Sequence, residues 1–411
     1  MGLAIAVALP AAMPVFRFPL PDGPFGVGTL TYHWVDRSRP EIFARDQSER
    51  RQLMVQIWYP SRANASASHA GYMPDADAVM AAFARIHGLP RFVFGHFKYV
   101  TTHAVPSAPA AADSARYPVL FFLEGATGFR QMNTFQVEHL ASHGFVVVAI
   151  DQPGAAAAVV FPDGHRAASL TLAQFHAMVS PSYMPVGTDS SPKGDLLVHG
   201  RRLHDRSIIP YLTKDLIFTL DQLAMLNQAD PNGILTGRLD LQRFGAFGVS
   251  LGGIVVGAAC RLDARLHACL MMDAPMPTDV VTAGLQQPRM WITRDAASMR
   301  LERQRSGGWS EAEIDAHQTS MRAVYEGLAG TGYFVRVPGM FHSNFTDIPI
   351  WTPLATRLGV AGPLDGQRAH EIVNGYSLAF FERHLMDRPG KLLGGPSPPQ
   401  YSEAILESRQ H

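Results

Sequence analysis

Three consecutive segments constrain the fold more than anything else in the chain: "PVLFFLEG" (118–125), "TFQVEHLASHG" (134–144) and "FVVVAID" (145–151). The first and third are unbroken apolar runs of strand length. The one between has helical character and stops at a glycine. A strand with no polar face has to be covered on both sides, so continuous apolar strands alternating with helices predict a parallel sheet with helices on both faces. The alternation resumes further on, with a long amphipathic helix over 207–228 carrying Ile217, Leu220, Leu223 and Leu226 at helical spacing. It continues as strand "RFGAFGVS", helix "GIVVGAACRL", strand "HACLMMD" (267–273) and strand "RMWITRD" (289–295). A helix opened by the capping box of Ser310 and Glu313 runs to about Leu328. The last strand is "YFVRVPG" (333–339), and a closing helix covers 369–385.

Ahead of this core, "GVGTLTYHWVD" (26–36) and "QLMVQIWYP" (52–60) read as an antiparallel pair, with a helix near 76–87 and a linker over 107–118. Residues 152–206 do not fit the alternation and exceed what a connection needs, so they are expected to form an inserted lid or pocket wall. The expected organisation is an apolar N-terminal segment (1–25), one catalytic domain (26–395) with that insertion, and a C-terminal tail (396–411). The fold class is α/β, a mostly parallel central sheet flanked by helices.

Within this frame, "FGAFGVSLGG" (244–253) hands a buried strand to a helix through Gly248, Val249, Ser250, Leu251 and Gly252. The apex of such a turn is strained, and strand and helix crowd its neighbours, so G-x-S-x-G lifts the serine hydroxyl clear of the sheet. Ser250 is the expected nucleophile. A serine needs a base oriented by a carboxylate, in the chain order Ser, acid, His. Of the histidines after Ser250, only His342, in "PGMFHSNFTD", follows the last predicted strand in a loop. Asp273 and Asp295 each end a strand and compete for the acid. Leu251, next to the nucleophile, should supply one N–H to the oxyanion, and the loop "EGATGFR" (124–130) the other, through Ala126.

"GVSLGG", "MMDAP", "HSNFTD", "GATGFRQMNTF…LASHGFVVVAID" and "NGYSLAFFERHL" together resemble the platelet-activating factor acetylhydrolases, the plasma type and its bacterial relatives, over roughly 26–385. The resemblance implies an α/β-hydrolase fold and a serine esterase. It implies Asp273 as the acid, with Asp295 as runner-up, and supports Ala126 as oxyanion donor. Where family members carry His-Gly before the oxyanion loop, this chain has Glu124-Gly125. Glu124 is therefore expected to be turned away from the developing charge and hydrogen-bonded, the alternative being that it alters substrate preference.

The expected reaction is hydrolysis of short-acyl or apolar carboxylic esters through an acyl-enzyme. A lipase-like or cutinase-like polyester hydrolase and a non-catalytic hydrolase-fold binding protein are the competing readings. No cofactor and no metal is required. The 35 basic residues balance the 35 acidic ones, and only 17% of residues are charged, which leaves no electrostatic footprint for nucleic acid. A small-molecule or lipid-like ester is the expected partner, with room for peripheral membrane contact; the oligomeric state is not legible. The two cysteines, Cys260 and Cys269, read as small buried hydrophobes and not as a disulfide framework. The apolar start "MGLAIAVALPAAMPVF" is too short and too interrupted by proline to span a bilayer, and reads as a trimmed export or anchor segment. Secretion or an extracytoplasmic, membrane-associated location is expected.

Overall fold

A computed structural model describes residues 13–62, 67–184, 196–198, 201–203, 207–327, 330–394 and 399–409. Most of the apolar start lies outside the described residues. The chain builds one large sheet of ten strands. Its first half comprises β1 (Gly26–Pro40), β2 (Arg50–Ser61), β3 (Val105–Pro106), β4 (Tyr117–Leu123) and β5 (Val146–Asp151). Its second half comprises β10 (Leu239–Val249), β11 (Leu266–Met272), β12 (Arg289–Thr293), β13 (Gly332–Arg336) and β14 (Ile405–Arg409). The order across the sheet is β14-β13-β12-β11-β10-β4-β5-β2-β1-β3. Strands β5, β4, β10, β11, β12 and β13 run parallel, and β1 pairs antiparallel with β2 as expected. Every residue of β4 and β5 is buried, which is why these strands read as unbroken apolar runs.

The helices are α1 (Ala76–Ile86), α2 (Thr134–Ser142), α3 (Leu172–Val179), α4 (Ile209–Gln228) and α5 (Leu251–Leu262), then α6 (Thr278–Ala283), α7 (Ala296–Ser306), α8 (Glu311–Glu326), α9 (Ile348–Trp351) and α10 (Gly366–Leu385). Helices α4, α5 and α8 fill one face of the sheet around Leu216, Val255 and Val324, while α2 and α10 fill the other around Leu140 and Phe380. The sheet is thus sandwiched between two apolar layers, and its carboxyl edge is left to the loops. None of the described helices is long and apolar enough to cross a membrane.

Four expectations are corrected. The buried stripe of α4 is Leu212, Leu216, Leu220, Leu223 and Leu226; Ile217 sits to the side, half-buried. The sheet does not end at β13, because residues 405–409 return from α10 and pair antiparallel with it. Helix α7 lies between β12 and α8. Finally, Cys260 and Cys269 are joined by a disulfide across a separation of nine residues. Cys260 lies in the last turn of α5 and Cys269 in the next strand, so the tight reversal between them brings their Cα atoms to 6.6 Å.

The described parts of the insertion form two hairpins, β6 (Ala158–Val160) with β7 (Arg166–Ala168) and β8 (Leu196–Val198) with β9 (Arg201–Leu203), with α3 between them. Residues 185–195, 199–200 and 204–206 lie outside the described residues, so the expected lid is described only in part. The start of the insertion is bonded to the loop after β4, where Thr127 N–H donates to Ala155 O and Ala157 N–H to Gly128 O, both at 2.8 Å. The alanine tract 154–158 therefore braces that loop.

Candidate active site

Strand β10 ends at Val249, and Ser250 turns the chain with φ 56° and ψ −121° before α5 begins at Leu251. A non-glycine residue at that φ is strained and persists only where its surroundings over-determine it. Here they do. A Cβ on Gly252 would stand 2.0 Å from Leu123 O, and one on Gly248 would stand 2.5 Å from the Gly252 carbonyl carbon. Both flanking glycines are therefore required by backbone packing. Gly252→Ala is expected to cost at least about 2 kcal/mol of stability in urea unfolding, with loss of activity, because the clash is with backbone that cannot swing away.

Asp273 follows β11 and His342 follows β13. Val249 and Met272 are register partners, so Ser250 and Asp273 are the next residues on adjacent crests, and Ser250 N–H donates to Met272 O at 3.0 Å. Asp273 also has a positive φ, 44°. The His342 loop is drawn inward by Asn344, whose Oδ1 accepts from the N–H groups of Phe341 and Gly362, each at 2.8 Å. At the far end of the same loop Asp347 accepts from Thr134 N–H (2.9 Å) and Phe135 N–H (3.1 Å), tying the loop to the start of α2. His342 Nδ1 then lies 2.6 Å from Asp273 Oδ2. Asp295 faces other work: its carboxylate accepts from Ser298 N–H at 2.9 Å and caps α7. Among the described residues the Ser250 hydroxyl makes no hydrogen bond; it stands half-buried at its crest.

The loop after β4 packs directly on the elbow, since a Cβ on Gly125 would come within 3.3 Å of Ser250 Cβ. Thr127 takes a φ of 62° and its N–H is committed to Ala155; Gly128 N–H is committed to Gly125 O. Among the described residues Ala126 N–H donates to no backbone carbonyl, and Leu251, as the first residue of α5, has an N–H that the helix itself does not use. Glu124 is turned into the protein at 2% exposure. This burial is in keeping with the expected turning away. Burial, with the Asp151 carboxylate beside it, pushes the Glu124 carboxyl well above its usual range. A neutral acid beneath the loop adds no charge against an oxyanion.

Sequence reasoning missed the groups behind Asp273. Arg294, fully buried, brings Nε to 2.9 Å from Asp273 Oδ2 and pairs with Glu302. Thr293 donates its hydroxyl to Asp273 Oδ1 at 3.1 Å, and His317 Nε2 lies 3.4 Å from the same oxygen. Trp309, half-buried, covers the Arg294 guanidinium at 4.2 Å and meets the His342 ring edge-on at 5.1 Å. Burial alone would raise the Asp273 carboxyl, but Arg294 and the two imidazoles override it and hold it well below the usual range. Burial likewise pulls the His342 imidazole below its ordinary value, with the Arg294 charge adding to it and the Asp273 contact opposing. The ring leaves 27% of its side-chain surface open, so it is an imidazole sunk in a crevice with one edge at the mouth.

A base must be neutral to accept a proton, and a lowered His342 keeps it neutral to lower pH. The acid limb of kcat/KM is therefore expected to have its midpoint below the free-imidazole value of about 6.5. Arg294→Met removes a cation that disfavours protonated His342 and leaves Glu302, which accepts from the His342 backbone N–H at 3.3 Å, without its partner, so the midpoint should move toward higher pH. A pH–rate profile with an unmoved acid limb in Arg294→Met would remove Arg294 from this role.

Comparisons with known proteins find the chain similar to ester hydrolases. The family model for "Platelet-activating factor acetylhydrolase, isoform II" matches residues 11–207, a span that holds the loop after β4 and stops short of Ser250. A platelet-activating factor acetylhydrolase of Gallus gallus is 20% identical over 400 residues, covering 93% of this chain and 88% of that protein. Those of Cavia porcellus and Canis lupus familiaris are each 25% identical, over 66% and 72% of this chain. The two alignments span 58% and 62% of those relatives' own length. Among solved structures, a ferulic acid esterase from Streptomyces cinnamoneus superposes with a TM-score of 0.70 at 26% identity, covering 95% of this chain and 99% of that one. The resemblance and the α/β-hydrolase fold expected from the motifs are both borne out.

Proposed function

We propose that this carboxylic ester hydrolase, a relative of the platelet-activating factor acetylhydrolases with an α/β-hydrolase fold, works through Ser250, His342 and Asp273. The observation that carries the reading is the 2.6 Å contact of His342 Nδ1 with Asp273, a carboxylate on the crest next to Ser250. With Nδ1–H given to Asp273, the lone pair of the imidazole is on Nε2, the nitrogen free to take the serine proton. Ser250 Oγ attacks the ester carbonyl, its proton passes to Nε2, and the oxyanion is held by the N–H groups of Ala126 and Leu251. The imidazolium returns the proton to the departing alcohol. Water, deprotonated by the same nitrogen, then cleaves the acyl-serine. The serine–imidazole bond closes as substrate binds, a tightening common at such sites.

The substrates we assign are short-acyl or apolar esters, acetyl esters first, a choice supported by the acetylhydrolase relatives. The disulfide between Cys260 and Cys269 favours an oxidising, extracytoplasmic setting, in keeping with export. A series of nitrophenyl esters of rising acyl length tests the substrate reading. Turnover should be greatest at acetyl to butyryl and fall with longer chains. Greatest turnover on long acyl chains or on insoluble polyester would replace the short-acyl reading by the lipase-like or cutinase-like one.

A further inference from the structure

At the end of α2 remote from the elbow, the segment before β1 folds back on the helix. Gly23 N–H donates to Ser142 Oγ at 3.2 Å and Phe25 N–H to Ser142 O at 3.1 Å. The approach is so close that a Cβ on Gly23 would stand 2.2 Å from Ser142 O. These bonds fix the backbone beside Asp22. Its carboxylate, 75% exposed, reaches over the end of the helix to two histidines. His139 lies in the last turn of α2 and His143 is the residue that caps it, four positions on, so both reach the same end of the helix. One oxygen, Asp22 Oδ1, lies 2.9 Å from His139 Nδ1 and 3.0 Å from His143 Nε2. The two rings are 4.7 Å apart.

We propose that Asp22, His139 and His143 form a binding site for a divalent transition-metal ion, zinc by choice, that fastens the segment before β1 to α2. Among the described residues this is the one group of three such side chains whose donor atoms all lie within 4.8 Å of one another. Bonds of ~2.0–2.1 Å at a tetrahedral ion place its donors roughly 3.3 Å apart. The two imidazole–carboxylate distances need to open by only a few tenths of an ångström, and Asp22, whose side chain is in solvent, can supply the movement. Two imidazole nitrogens and one carboxylate oxygen suit zinc and not magnesium or calcium, which prefer oxygen. Three protein donors leave a fourth position for water. The site borders a cleft of about 860 Å³ that Asp22, His139 and Tyr401 help to line, so the ion has an entry path.

The surroundings also set the strength. Zinc-ligating histidines normally give their second ring nitrogen to an outer acceptor, and losing such a partner weakens binding by about 10–100-fold. His139 Nε2 is buried with no such partner among the described residues. Micromolar affinity is therefore expected, far from that of a structural zinc finger. The site sits at the far end of α2 from the loop that packs on Ser250, a helix of nine residues or about 13 Å. Zinc should thus act on stability and leave ester turnover alone.

The test uses the full chain, stripped with EDTA and titrated with zinc alone by calorimetry, with the melting temperature read in parallel. One saturable site is expected, with a rise of about 3 °C at a hundredfold excess over Kd. The chain has 17 histidines, so a site elsewhere has to be told apart by substitution. Asp22→Asn and His143→Ala change exposed or partly exposed side chains, and each should weaken zinc at least tenfold while nitrophenyl-ester turnover stays unchanged. Cobalt in place of zinc should give the intense visible bands of a tetrahedral ion in the wild type and lose them in both variants. Absence of saturable zinc binding, or affinity unchanged in both variants, would overturn the site.

Discussion

Ser250→Ala should lower kcat/KM for nitrophenyl acetate by at least about a thousandfold and toward a million-fold, leaving the melting temperature within a degree or two. The size follows from the chemistry. In the proposed mechanism the acyl bond forms on Ser250 alone, and what would remain is the rate given by substrate binding and the proposed N–H donors. His342→Ala should cost nearly as much, and the double variant little more than either single one, because the groups act as one unit. Stopped-flow hydrolysis with the three variants checks this. Losses that multiply in the double variant would mean that serine and histidine work independently, which the proposed proton transfer forbids.

The second large effect separates two aspartates. Asp273→Asn keeps the shape of the side chain but removes its charge and lets an amide N–H face His342 Nδ1, favouring the wrong tautomer, and should lower kcat by about 10⁴-fold. Asp295→Asn should leave kcat within about twofold. Its cost is confined to the cap of α7, where asparagine serves almost as well as aspartate. Kinetics on the two variants side by side decide the matter. A larger loss in Asp295→Asn would hand it the acid's role, against the 2.6 Å contact between His342 and Asp273.

What could be read from the chain before its structure follows from which forces are local. Strands β4 and β5 are buried on both faces, so burial wrote itself into composition. The elbow was legible because Gly248 and Gly252 are demanded by backbone contacts at the turn itself. Asp295 was ambiguous because a strand-ending aspartate and a helix cap look alike until Ser298 is seen to donate to it. Arg294 beside it reads as a surface cation, and His317 as an ordinary helix residue. Only the packing of α7 and α8 over the crest turns both toward Asp273. Strand β14 was missed because an edge strand with one partner carries no continuous apolar signature, and its "ILESR" lies 20 residues past α10. The disulfide was missed for a related reason. Nine residues of separation say nothing of a reversal that returns Cys269 beside Cys260. The alanine tract 154–158 carries no sequence signal of its contacts, yet the Ala155 carbonyl and the Ala157 N–H brace the loop after β4.

The central claim is that one hydroxyl, that of Ser250, forms the covalent bond to the acyl group. The direct measurement is to inactivate the enzyme with a fluorophosphonate ester, digest it and map the adduct by mass spectrometry. The account predicts one equivalent of label on the peptide carrying "GVSLGG", at Ser250, with no labelling in Ser250→Ala and slowed labelling in Asp273→Asn. Stoichiometric loss of activity with the phosphonyl group on any other residue would contradict it.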